Sequence, residues 1–165
     1  MKMLTLDSNL LLLLTVGTFE PRTLINFKRL SGFSISDLRL LQDLASTRSL
    51  TVTPHSLTEV SNLANSLPET ARLGFLNYFA SFITRVSEHF VHADVLSSDR
   101  SFRLFGLTDA AICELASTSD VVTEDARLRA YMQRRGLVAF GLEDLRMFQR
   151  MNIPLTRTGP GQLDS

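Results

Sequence analysis

The fold reading turns on Met3-Leu4-Thr5-Leu6-Asp7-Ser8-Asn9-Leu10-Leu11-Leu12-Leu13-Leu14. A short apolar run, a polar triplet and a leucine run make the pattern of a buried strand over residues 3–6 that turns into a core-facing helix over 10–16. Asp7 stands where a core favours another apolar residue, so its charge needs a partner. The leucine run is far shorter than the roughly 20 apolar residues that span a bilayer. It also lacks the cationic lead and small-residue cleavage site of a signal peptide, so no membrane association is expected. Cys113 is the single cysteine and cannot close an internal disulfide, which makes the cytoplasm the expected compartment.

Outward from this stretch, apolar runs alternate with helical patterns. Further strands are expected at 50–53, 90–96, 121–122 and 137–140. Helices are expected at 20–30 behind a Thr18 cap, 37–46 behind Ser36, 57–66, 69–88, 108–116, 125–135 and 142–151. Gly136 closes the helix at 125–135. Leu73, Leu76, Phe79, Ile83 and Val86 mark one buried face of the helix at 69–88, widened by Phe75, Tyr78 and Phe82, with a partner interface as the less favoured use of that stripe. Residues 97–107 read as a loop carrying Arg100, Phe102, Arg103 and Phe105. Strands separated by helices imply a three-layer α/β/α sandwich around a mainly parallel sheet of about five strands. Residues 1–151 form a single domain in this reading, and 152–165, with Pro154, Gly159, Pro160 and Gly161, a flexible tail.

The chain has 165 residues, of which 44% are hydrophobic and 21% charged, enough for a real core and too apolar for disorder. Seventeen basic residues balance seventeen acidic ones, so any polyanion site must be local. Residues 126–165 carry seven arginines against three acids, leaving an equal negative excess in residues 1–125. No Gly-x-x-x-x-Gly-Lys phosphate loop or Gly-x-Gly-x-x-Gly turn is present. Lys28 is the last lysine, which disfavours a phosphoacceptor receiver or an aspartyl phosphatase, both of which use a late lysine. His89 and His92 lack accompanying thiolates and do not suggest an imidazole metal site. Cys113, in an apolar helical stretch, reads as an inert core thiol.

In an open α/β sheet the site lies beyond the carboxyl ends of the strands. Asp7, Glu59, Asp109 and Asp125 all fall there. Each has an ordinary structural use: Ser56 and Glu59 fit a capping box, and Asp109 and Asp125 can serve helix amino termini after Thr108 and Thr123. Together on one edge, four carboxylates repel one another unless a cation intervenes, and hard oxygen ligands select Mg2+ or Mn2+. Relief of that crowding predicts that Asp7→Asn stabilises the metal-free chain.

The motifs resemble the PIN domain family of metal-dependent ribonucleases, best known as toxins of bacterial toxin–antitoxin pairs, over residues 3–145. Leu6-Asp7-Ser8-Asn9-Leu10-Leu11 is similar to the family's first motif, and Pro54 to Leu63, with Glu59, to the second. Leu107 to Leu115 is similar to the third, and Val121-Val122-Thr123-Glu124-Asp125-Ala126-Arg127-Leu128 to the fourth. The resemblance implies metal binding by Asp7, Glu59, Asp109 and Asp125, support from Asn9 and Thr123, and Mg2+- or Mn2+-dependent hydrolysis of single-stranded or structured RNA. It also implies an antitoxin partner and admits a homodimer. The 52-residue interval from Asp7 to Glu59 departs from compact members and suggests an enlarged helical hairpin. Glu124 competes with Asp125 as the last ligand, with Asp125 favoured by the Thr-x-Asp spacing. Arg100, Arg103, Arg127 and Arg129 are candidate substrate contacts, and a non-catalytic PIN-like binding module is the alternative.

Overall fold

Alternation along the central strand builds the two sides of the core. In β1 (Met3–Leu6), Leu4 and Leu6 are buried toward one helical layer, while Thr5 turns the other way and shares a 2.8 Å hydrogen bond with Ser119. The computed structural model describes residues 3–153. β2 (Ser49–Val52), β3 (Ser87–Glu88), β4 (Ser119–Val122) and β5 (Ala139–Phe140) complete a five-stranded sheet in the order β3-β2-β1-β4-β5, all neighbours parallel. Leu6 lies opposite Val122. The expected α/β/α sandwich is present.

One layer contains α1 (Ser8–Phe19), α2 (Thr23–Asn26), α3 (Ile35–Thr47), α4 (Pro54–Ala64), α5 (Glu69–Ile83) and, from the far end of the chain, α10 (Leu142–Arg150). The other contains α6 (Ala93–Ser98), α7 (Arg100–Phe105), α8 (Leu107–Leu115) and α9 (Ala126–Arg134). Successive strand residues separate the layers: Val122 and Phe140 join the core under α1, while Val121 and Ala139 join Ile112 of α8 and Leu128 of α9. No helix among the described residues is long and apolar enough to cross a membrane.

Local chemistry explains where the elements depart from expectation. Residues 20–30 are not one helix, because Pro21 cannot continue α1 and pushes Glu20 into extended backbone; α2 and a 3₁₀ turn, Lys28–Leu30, take its place. Ser34, not Ser36, caps α3, since only Ser34 finds a reciprocating Asp37 three residues on. Thr53 caps α4 and leaves the second strand, with Pro54 at the first helical position and Ser56, not Glu59, closing the box. Residues 90–96 are not a strand: β3 ends at Glu88, and Leu96 is buried from α6 while Phe90 and Val95 are exposed. Asp99 caps a helix where a loop was expected, placing Arg100 and Arg103 on α7. On α5 the buried face is Phe75, Phe79 and Phe82, rotated from the expected stripe, and Leu73 is 69% exposed. Those rings stack at 5.5 and 5.9 Å and belong to the core. Gly136 takes the left-handed conformation (φ 72°) just past α9, as a glycine stop requires. Asn152 and Ile153 are described; the rest of the expected tail lies outside the described residues.

Ion pairs among the described residues tie distant elements. Arg48, at the end of α3, is bonded to Asp120 of β4, both buried. Arg146 of α10 donates from Nε and Nη2 to Asp37 Oδ1 at 2.9 and 2.6 Å. Burial pushes the Asp37 carboxyl up, but bonds from Ser34 and Arg146 outweigh it and hold it below the usual range. The sign follows: this pairing is fully present above the ordinary carboxylate pKa and is lost as pH falls through the lowered one. Arg146→Met should therefore cost about 2 kcal/mol near neutral pH, about 4–8 °C in thermal midpoint. In a pH series of thermal melts the deficit should shrink below about pH 4; a deficit constant down to about pH 2 would contradict the assignment.

Candidate functional site

Strand order sets the location. The chain steps from β1 to β2 and β3 on one side, then crosses to β4 on the other, so the carboxyl ends of β1 and β4 flank a switch point, where open α/β sheets form a crevice. Asp7 leaves β1 and caps α1; Asp125 follows β4 and caps α9. Glu59 rides on α4, which leaves β2, and Asp109 sits in the first turn of α8, at the end of the crossover into β4.

Asp7 is buried and ties β1 to β4. Its Oδ1 accepts the Leu10 N–H at 2.8 Å and its Oδ2 the Glu124 N–H at 2.9 Å. The fully buried Thr123 donates its hydroxyl to the same carboxylate and accepts the Asp125 N–H at 3.0 Å. Burial still dominates, raising Asp7 above the usual carboxylate range despite these donors, with Glu124 adding a smaller push. Ser8 donates to Glu59 Oε2 at 2.9 Å, fastening α4 to the start of α1.

Asp109 registers the convergence. Burial, then the charges of Asp7, Glu59 and Asp125, push its carboxyl up to about 7. The four sequence-predicted acids therefore share one field. They are not closed into a cage: among the described residues no three acidic, histidine or cysteine side chains are grouped to hold an ion. Glu124 is turned elsewhere, its Oε1 accepting the Leu142 N–H of α10 at 2.7 Å, whereas the neighbouring Asp125 is the acid whose charge reaches Asp109. Asn9 is exposed on the first turn of α1.

The candidate arginines separate. Arg129 is committed to the scaffold, its Nη1 donating to the Thr123 carbonyl at 3.3 Å and lying so close to Gly141 that a Cβ there would meet it at 2.0 Å. Arg127 lies over the Phe105 ring, 5.8 Å from its centre, and Arg100 and Arg103 are exposed on α7. Burial pushes the Cys113 thiol up to about 12, which suits an inert side chain.

Sequence reasoning missed two residues. Ser8 was signalled only by its place immediately after Asp7. His55, four residues before Glu59 and so on the same side of α4, lines a depression of about 450 Å³ with Glu59 and Thr108, and its Nδ1 is buried with no hydrogen-bond partner. No protein-family model, curated protein or solved structure matches the chain.

The expected relief on removing Asp7 moves to Asp109. Asn at position 7 would set an amide against backbone N–H donors, while the Asp109 carboxylate makes no hydrogen bond among the described residues and carries the repulsion. Its raised pKa means that the folded chain keeps a proton the unfolded chain releases, so stability falls as pH rises from about 4 to about 7. Asp109→Asn should flatten that fall, raising the thermal midpoint at about pH 8 by about 2–4 °C per kcal/mol of repulsion relieved and changing it little at about pH 4. Parallel curves for the two proteins would contradict this.

Proposed function

We propose that the protein is a cytoplasmic, divalent-metal-dependent endoribonuclease of the PIN type, the toxin of a toxin–antitoxin pair, hydrolysing RNA phosphodiester bonds with a metal-activated water. One observation supports this above the others: four carboxylates on four separate segments share a field beside the switch point of a parallel sheet. Their oxygens are the hard donors that Mg2+ or Mn2+ prefers. Such an ion, when bound, lowers the pKa of a water and neutralises charge developing on the scissile phosphate.

The chain's own residues would divide the labour. Asp7 and Asp125 are fixed in relative position by Thr123, and Glu59 is fixed by Ser8. Asp109, its carboxyl pushed up to about 7 by burial and by its acidic neighbours, would give up its proton as cation charge replaced carboxylate repulsion. An antitoxin would act by covering this edge, and a second copy of the chain is a possible companion in the same reading.

A non-catalytic PIN-like module that binds RNA or protein is the second reading. It is favoured by Asp7, both of whose oxygens accept backbone N–H groups and so have a use without turnover. Cleavage of a labelled single-stranded RNA with Mn2+ separates the two. The enzyme reading expects cutting by the native chain and a loss of about 100-fold or more in Asp109→Asn and Asp125→Asn. RNA binding without cutting would leave the binding module; full activity in both variants would end the carboxylate assignment.

A further inference from the structure

Residues of α7 and of the α9 region enclose a groove of about 610 Å³ whose charged lining is four arginines, Arg100, Arg127, Arg134 and Arg135, set around Phe105 and Tyr131. Arg127 and Tyr131 of α9 and Arg135, the residue that caps its end, recur at four-residue steps on one side, while the small residues Ala126 and Ala130 keep the adjoining strip open. Among the described residues no acidic side chain lines the groove; Asp99, at the start of α7, is close enough to interact with Arg135.

The aromatic rings hold the guanidinium groups rather than offering themselves to bases. Phe105 and Tyr131 meet edge to face at 5.3 Å. Arg127 lies over Phe105, and Arg135 lies over Tyr131 at 5.3 Å while donating to its hydroxyl at 2.8 Å. A stacked guanidinium keeps much of its planar N–H fork for an anion, in the geometry that suits phosphate. With Arg100 and Arg134, these two stacked guanidinium groups make four cations in one groove, which repel one another until an extended polyanion is laid between them.

We propose that this groove binds the phosphodiester backbone of single-stranded RNA and leads it to the carboxylate edge. Position favours RNA over an acidic protein segment: Ala126 and Arg127 line one end of the groove and directly follow Asp125, the cap of α9 and one of the four candidate acids, so a strand held in the groove starts beside the carboxylate edge. Its walls are short. At 1.5 Å per residue the six residues of α7 span about 9 Å and the nine of α9 about 13 Å, a length for a few nucleotides of one strand. This inference rests on the ribonuclease reading for what happens at the end of the path, not for the binding itself.

The test is binding of a fluorescent 12-nucleotide RNA in EDTA across a salt series, read by anisotropy, for the native chain, the double variant Arg127→Gln/Arg134→Gln, and Arg72→Gln on α5 as a control. The double variant should bind about tenfold more weakly, and its slope of log affinity against log salt should shrink by about 1.4, at about 0.7 per lost phosphate contact. Arg72→Gln should match the native chain. Unchanged affinity and slope in the double variant would overturn the groove, as would displacement of the RNA by polyglutamate at a lower charge concentration than by unlabelled RNA. Cleavage with Mn2+ is scored separately. A native chain that binds RNA through these arginines yet never cuts it keeps the groove and loses the enzyme, while undiminished cutting and binding by the double variant do the reverse.

Discussion

A single buried carboxylate holds the ends of two strands together. Leu6 and Val122 are ladder partners far apart in the chain, and just beyond them Asp7 accepts N–H groups from its own helix and from Glu124. Burying that charge is costly, and the three donors around it offset the cost only in part, since the group still sits above its ordinary range. The arrangement of the edge depends on this joint. It sets the start of α1, hence Ser8 and the Glu59 it fastens, and it sets the turn after β4, hence Thr123 and Asp125.

The same joint explains what could be read from the sequence. A charge breaking the run between Leu6 and Leu10 is visible in one dimension, and so are acids placed shortly after apolar runs. Gly136 was equally legible, because a backbone conformation narrows the residue choice. What escaped depended on partners distant in sequence or on small differences between neighbours. Ser34 and Ser36 are equally good caps until Asp37 chooses between them. The face of α5 could not be fixed by spacing alone, because its many apolar residues are compatible with more than one orientation; stacking of Phe75, Phe79 and Phe82 selects it. Residues 90–105 were misread because short helices there draw their stability from the layer beneath rather than from a long periodic pattern.

Charge that is balanced over the chain is divided in space. Asp7, Glu59 and Asp125 act through their charge on Asp109 at the carboxyl edge, while Arg100, Arg127, Arg134 and Arg135 gather in a separate groove that begins next to Asp125. Within α9 two residues of one type take unlike parts: Arg129 turns inward to the Thr123 carbonyl, while Arg127 lies flat on Phe105 at the groove. A helix beginning at a ligand candidate and continuing as one wall of a cationic channel couples the two regions by rigid geometry.

The outermost strands, finally, are only two residues each. β3 presents exposed Ser87 and Glu88, and β5 is packed against α10. A foreign extended segment arriving at either rim would find at most a pair of rungs, with a carboxylate beside them at β3. Fibril growth by sheet continuation therefore has little foothold on the native molecule, even when many copies are crowded together.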